Sequence, residues 1–193
     1  MKGLLVAFEG LDQSGKQTQG ELLRDRFIAR SRDVQLLSFP DYDTAIGREI
    51  RKALRGGRHY GPDLMQLLYV ANRYECKQQI VAARDAGTIV VCDRYLASSV
   101  AYGEAQGLDP EWLVSIQRYL PQPDLTILLD IPPEVSARRK RSNRDKYERD
   151  MALLARVRQS YLRQEATGWV RLDADRDRDA VSIDVWAAVS VRL

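Results

Sequence analysis

The sequence predicts an α/β fold, a three-layer arrangement in which a parallel sheet of about five strands is covered by helices on both faces. Three observations predict it. Short runs rich in Val, Ile and Leu recur along the chain and are mostly unalternated, as in strands buried on both sides. Amphipathic stretches of helical length separate them. Polar clusters follow the carboxyl ends of the apolar runs, where open α/β sheets bind ligands.

Taken in order, the first apolar run, residues 4–8, ends in a glycine-bracketed loop, and a helix-forming stretch follows over 16–30. The second run, 34–39, leads to helical patterns over 44–54 and, as one long helix, over 62–86. The third, 88–92, is followed by helical stretches around 98–106 and over 110–119. The fourth, 125–130, precedes helices over 133–140 and 147–167, and the fifth, 169–172, precedes a last helix over 180–191. No repeat, low-complexity tract or linker-like segment divides the chain, so residues 1–193 read as one domain with a substantial core.

Composition narrows the function. With 45% hydrophobic and 30% charged residues the chain reads as soluble and globular, with no run long enough to span a bilayer. The opening KGLLVAF is too short for a signal peptide and lacks a small-residue cleavage region. Two cysteines, Cys76 and Cys92, make no disulfide framework and are expected to be reduced. A single histidine, His59, excludes a His-rich metal site and argues against a Ser-His-Asp triad. The net charge of +3 suggests anionic ligands without arguing for DNA.

The most informative stretch is FEGLDQSGKQT, from Phe8 to Thr18. Gly10-x4-Gly15-Lys16 has P-loop spacing. The glycines let the backbone curl so that N–H groups converge on one anion, and the helix that starts at Lys16 adds the positive end of its dipole. Lys16 supplies a mobile charge for terminal phosphates. One position departs from the pattern: Gln17 stands where Ser or Thr is usual. An ordinary Gly-containing turn explains less, because both glycines, the lysine and the strand-loop-helix context agree.

Three further groups carry chemistry. Asp93-Arg94-Tyr95 follows the run IVVC; an acid there suits magnesium or its water, and the next arginine suits phosphate. The alternative is a buried Asp–Arg pair at the sheet edge. Tyr69 and Arg73 share a helix face, which fits an aromatic ring and a donor fork on one planar ligand. Their spacing with Leu64, Leu67 and Leu68 fits core packing better. Residues 138–149, RRKRSNRDKYER, hold seven basic residues against two acidic ones. This run reads either as a solvated or nucleic-acid-binding face or as a flap that closes over phosphates.

With these motifs in view, the chain resembles the thymidylate kinases, of the P-loop nucleoside monophosphate kinase superfamily. The resemblance covers nearly the whole chain. It is carried by FEGLDQSGKQTQ at 8–19, Phe39-Pro40, YVANR at 69–73, DRYLASSVAYG at 93–103, and the arginine-rich run with DKYE at 145–148. It implies a P-loop NTPase fold with a mobile lid at about 138–149. The implied reaction is phosphorylation of dTMP to dTDP by ATP with magnesium, in a cytoplasmic homodimer that binds neither nucleic acid nor membrane. Lys16 and the loop from Gly10 through Leu11, Asp12, Gln13, Ser14 and Gly15 to Gln17 and Thr18 would then hold ATP, with Arg138. Asp12 would contact the substrate sugar and phosphate and help Asp93 with magnesium. Phe39, Tyr42, Tyr69, Arg73, Arg94, Ser98, Ser99 and Tyr102 would bind dTMP. In that set Tyr69 stacks on thymine, Arg73 donates to O4, and Tyr102 blocks a ribose 2′-hydroxyl. The resemblance thus replaces the core reading of Tyr69 and Arg73.

The departures shift roles. Gln17 removes a hydroxyl that commonly ligates magnesium, which moves weight to Asp12, Asp93 and water. Gln13 stands where some members carry a catalytic arginine, so that group is expected in the lid, among Arg138, Arg139, Arg141 and Arg144. Catalysis is accordingly expected from Lys16, Arg94, Asp12, Arg141 and Arg144. Tyr42 replaces a phosphate-binding arginine of several members, and residues 173–179, DADRDRD, match an adenine-contacting loop. Two other functions stay open at this point: a kinase for another deoxynucleotide or deoxynucleoside, and a catalytically weak P-loop protein whose basic segment binds nucleic acid.

Overall fold

The computed structural model describes residues 2–139 and 150–193. Five strands run in chain order: β1 (Leu5–Glu9), β2 (Val34–Ser38), β3 (Ile89–Asp93), β4 (Leu125–Asp130) and β5 (Trp169–Asp173). All pairings are parallel and the spatial order is β2-β3-β1-β4-β5. The helices among the described residues are α1 (Lys16–Ile28), α2 (Ala45–Leu54), α3 (Pro62–Glu75), α4 (Lys77–Asp85), α5 (Leu96–Glu104), α6 (Pro110–Ser115), α7 (Pro133–Arg139), α8 (Met151–Arg163) and α9 (Arg178–Ser190).

The strand residues are apolar on both faces because helices cover both. Val6 and Phe8 of β1 pack in one cluster with Leu23 and Phe27 of α1 and Val185 of α9. Leu5 and Ala7 turn the other way, to a cluster with Phe39, Ile80 of α4 and Tyr95. A third, smaller cluster joins α2 to α3 through Ile50, Ala53 and Met65. Parallel strands buried in this way need no polar alternation.

One expected element divides. The helix anticipated over 62–86 is two, α3 and α4, separated at Cys76, whose backbone sits at φ −92°, ψ −2°. The apolar period runs through the break, so the pattern does not reveal it. Cys76 is buried in the cluster beneath β1 and β3, and α4 covers β3 while α3 turns toward α2. Of the helix expected over 147–167, residues 147–149 lie outside the described residues; α8 ends at Arg163, and Asp150 caps its start by accepting from the amide of Leu153 at 2.9 Å.

The order places β1 at the centre of the sheet, between β3 and β4. The loops leaving β1, β2, β3 and β5 therefore open at one edge. Among the described residues no helix is long and apolar enough to cross a membrane.

Candidate active site

The loop after β1 is built around backbone geometry. Gly10 adopts φ 136° and Gly15 φ 98°, conformations that L side chains rarely take. A Cβ at Gly10 would overlap the carbonyl oxygen of Leu129 and lie 2.9 Å from Ser14 Oγ. Gly15 is also the N-cap of α1 and makes no side-chain cap, which leaves the helix N-terminus in the form that suits an anion. Lys16 is buried and folds back, its Nζ donating to the Leu11 carbonyl at 2.7 Å. Burial, and then the nearby Arg94, push its pKa from 10.5 down to about 8, against the pull of Asp93, Asp12 and Glu9.

Arg94 is the hub. It follows β3 in a left-handed conformation, φ 62°, and its amide donates to the Phe8 carbonyl at 2.9 Å. Nη2 donates to Asp12 Oδ1 at 2.6 Å and to the Tyr102 hydroxyl at 3.3 Å. Nη1 donates to Ser98 Oγ and to the Tyr161 hydroxyl, each at 3.2 Å. Tyr102 in turn donates to Asp12 Oδ2 at 3.0 Å. Burial disfavours the charge of Asp12, but Arg94, Lys16 and the Tyr102 bond outweigh it and bring its pKa from 3.8 to about 2. Asp12 is thus an anion throughout the neutral range.

Two cavities meet at this pair. A cleft of about 900 Å³ is lined by Asp12, Gln13, Ser14, Gly15, Lys16, Gln17, Thr18, Asp93 and, on the far side, Ala174, Arg176 and Arg178. A smaller cavity of about 110 Å³ is lined by Tyr69, Arg73, Ser98, Ser99 and Tyr102, with Gln66 and Gln106. Asp12, Phe39, Pro40, Tyr42 and Arg94 line both. Two polar ligands joined at a phosphate fit that arrangement. In the small cavity Arg73 is buried and donates from Nη1 to Ser99 Oγ at 2.6 Å, with its guanidinium 6.0 Å from the Phe39 ring. Burial pulls its pKa below the ordinary 12.5.

The expected residues divide accordingly. Gly10 and Leu11 shape the loop backbone; Gln13 through Thr18 and Asp93 line the large cleft; Tyr69, Arg73, Ser98, Ser99 and Tyr102 line the small one. Arg138 is exposed and pairs with Asp175 at 3.4 Å. Arg141 and Arg144 lie outside the described residues. Arg139 is the one lid-side arginine among the described residues that lines the cleft. It donates to the carbonyls of Gln13 at 3.1 Å and Ala174 at 2.9 Å, bridging the loop after β1 to the loop after β5.

Sequence reasoning missed several groups. Arg51 lines the cleft with its guanidinium 4.9 Å from the Tyr42 ring, so a cation stands beside the tyrosine that replaces an arginine of several family members. Gln66 lies three residues before Tyr69 and seven before Arg73, one helix face, and that spacing was the available signal. Asn72 holds the turn after β2: its Oδ1 accepts from the Asp41 amide at 2.8 Å and its Nδ2 donates to Thr44 Oγ1 at 2.8 Å. Glu9 lies within FEGLDQSGKQT, but the P-loop spacing gives it no role, and Tyr161 carries no motif that marks it.

Comparison with known proteins decides the family. The thymidylate kinase family model matches residues 8–185. The chain belongs to the thymidylate kinase family. A thymidylate kinase of Schizosaccharomyces pombe is 35% identical over 195 residues, covering 98% of this chain and 92% of that protein. A probable thymidylate kinase of Pyrococcus abyssi is 41% identical over 171 residues, covering 84% and 83%. The solved thymidylate kinase of Candida albicans superposes with a TM-score of 0.89 at 30% identity, covering 99% of this chain and 92% of that one.

For a thymidylate kinase, magnesium is implied, and the residues present fit it at one point. Asp93 lines the large cleft, and its Oδ1 is buried without a hydrogen-bond partner. Both oxygens of Asp12 already accept bonds from Arg94 and Tyr102. Gln17 turns its amide to Glu21 at 2.9 Å. Among the described residues no group of three or more His, Cys, Asp and Glu forms a metal cage. The unpartnered Asp93 oxygen is the carboxylate that would stand beside a magnesium held chiefly by phosphates and water.

Proposed function

We propose that this thymidylate kinase transfers the γ-phosphoryl group of ATP to dTMP by aligning the two ligands through the junction of its cavities. The observation that carries the proposal is that Asp12 and Arg94 line both cavities while Lys16 lines the donor cleft beside them. Phosphoryl transfer asks the protein for alignment and charge neutralisation more than for covalent chemistry. The loop amides and Lys16 hold the donor phosphates. Arg94 and Arg51, with the Tyr42 hydroxyl, receive the acceptor phosphate. Asp93 would hold the magnesium shell, and that ion would supply neutralisation of the phosphate charge. The acceptor is already an ionised phosphate, so no strong base is needed. Arg139 supplies one lid-side cation; Arg141 and Arg144 are proposed to supply others.

Base selection follows from donors and acceptors. Arg73 presents a donor where thymine has O4, and cytosine offers an amino group that cannot accept. Tyr69 stacks on the base. Tyr102 stands over Asp12 and occupies the space of a ribose 2′-hydroxyl. The Candida albicans enzyme is described as having broad substrate specificity. A wider acceptor range, including other deoxynucleotides, is therefore the second reading.

We further propose a cytoplasmic homodimer. Leu64 and Leu67 on α3, Val114 on α6 and Tyr119 in the turn after it are large exposed apolar residues. The two segments are joined where the Tyr74 hydroxyl donates to the Ile116 carbonyl at 3.2 Å. A second copy of the chain would cover this surface.

The direct test of the donor site is Lys16→Ala. The variant is expected to keep its circular dichroism and lose dTMP-dependent ADP release. Substantial turnover by a folded Lys16→Ala protein would remove the loop's assigned role.

A further inference from the structure

We infer that Tyr161, with Glu9 behind it, is a positioning residue for Arg94: it holds the guanidinium in the orientation that receives the acceptor phosphate. The inference rests on the assignment of Arg94 to that phosphate.

Arg94 starts from a strained backbone position, φ 62°, and a long side chain left to itself samples many rotamers. Two groups of contacts restrain it. On one side Asp12 and Tyr102 take Nη2. On the other, Nη1 donates to the hydroxyls of Ser98 and Tyr161. Those hydroxyls are anchored on Glu9, a fully buried carboxylate at the end of β1. Ser98 Oγ donates to Glu9 Oε2 at 2.6 Å, and Tyr161 donates to the same oxygen at 3.2 Å. The two hydroxyls also lie 2.9 Å apart. The other oxygen, Oε1, accepts the amides of Tyr95 at 2.8 Å and Ser98 at 3.3 Å. One carboxylate thus fixes both the backbone that follows Arg94 and the hydroxyls that receive its tip.

The chemistry explains why hydroxyls stand between the two charges. A carboxylate placed directly on Nη1 would neutralise the guanidinium on that side. A phenol and a serine orient it by hydrogen bonding and leave its charge available to a phosphate dianion. The phenol is presented rigidly, as a positioning group requires. Its helix, α8, is tied to β4 by Arg158 on Asp130 at 2.7 Å and to α5 by Arg163 on Glu104 at 2.8 Å.

The test is a double-mutant cycle read by calorimetric dTMP binding to the full-length protein, using wild type, Tyr161→Phe, Arg94→Gln and the double variant. Tyr161→Phe keeps the ring and removes the oxygen. It is expected to weaken dTMP about tenfold, the size of one hydrogen bond to a charged group, while ATP binding is unchanged. In the Arg94→Gln background it is expected to weaken dTMP no further. Wild-type dTMP affinity in Tyr161→Phe overturns the inference, as do penalties that multiply in the double variant. If Tyr161→Phe does not fold, Glu9→Gln, which weakens the anchor behind the Tyr161 hydroxyl from outside both cavities, goes through the same cycle with the same expected outcome. Failure of the underlying assignment shows separately: Arg94→Gln would then bind dTMP as tightly as wild type.

Discussion

Lys16 shows how far burial sets the properties of a single residue here. Its pKa of about 8 leaves it largely protonated near pH 7 and largely neutral at pH 9 when no nucleotide is bound. Donor phosphates favour the ammonium form, so binding must draw a proton onto Lys16 wherever the free protein has lost it. ADP binding at pH 9 is therefore expected to take up a proton and at pH 6.5 to take up none at this residue. Calorimetry in buffers of different ionisation enthalpy measures this, and Lys16→Met should abolish the difference; the same uptake in that variant would assign it elsewhere. Tyr102 is a second case. The family resemblance implies a ribose filter, and the structure adds that Tyr102 donates to Asp12 and lies 5.2 Å beneath the Arg94 guanidinium. Tyr102→Ala should narrow the preference for dTMP over its ribonucleotide counterpart while lowering turnover of both. A preference unchanged in competition assays would leave Tyr102 with a holding role alone. Among single residues the P-loop is legible from its spacing and Arg94 from its place after the apolar run IVVC, whereas Arg73 is marked only by the family resemblance, its helical spacing alone reading as core. Glu9, Asn72 and Tyr161 were not legible, because their partners lie far along the chain: Glu9 meets Tyr161 across 152 positions.

Elements explain why some boundaries escaped the sequence. Helix α5 starts at Leu96, two residues before the expected stretch, because the Glu9 carboxylate accepts the amides of Tyr95 and Ser98. The cap comes from β1, and no local pattern marks it. The break at Cys76 is hidden in the same way, since tertiary packing interrupts a helix whose period continues. The turn between β2 and α2 depends on an equally non-local fit. Gly47 lies so close to the Asp41 carbonyl that a Cβ would overlap it, and Thr44 caps the helix by accepting the Gly47 amide at 3.0 Å. Gly47→Ala must push α2 away from the turn that carries Tyr42. It is expected to cost about 1–3 kcal/mol, as overpacking does, and to weaken dTMP more than ATP. Denaturant unfolding with binding of each nucleotide checks this; an unshifted midpoint would mean that the turn yields freely.

Across the whole molecule, the fold class was readable from five apolar runs alternating with helical stretches, and all five became parallel strands within a residue or two of the expected limits. Their spatial order was not readable. That order sets β1 between β3 and β4, and so brings Gly10, Asp12 and Lys16 beside Asp93 and Arg94 at one edge. The exposed leucines of α3 and the apolar residues at α6 belong to this scale as well. Light scattering is expected to give twice the 22.0 kDa of one chain, and Leu67→Arg to shift the mass toward one chain. A wild-type mass of one chain would refute the dimer. Cavities that meet at Asp12 and Arg94 are proposed to bring the γ-phosphoryl group of ATP to dTMP. The most direct measurement is ADP release from ATP and magnesium against a panel of acceptors: dTMP, dUMP, dCMP, dAMP, dGMP, UMP and thymidine. The highest kcat/KM is expected for dTMP, with weak turnover of dUMP and negligible turnover of dCMP and thymidine. No dTMP-dependent release, or a clear preference for another acceptor, would contradict that proposal.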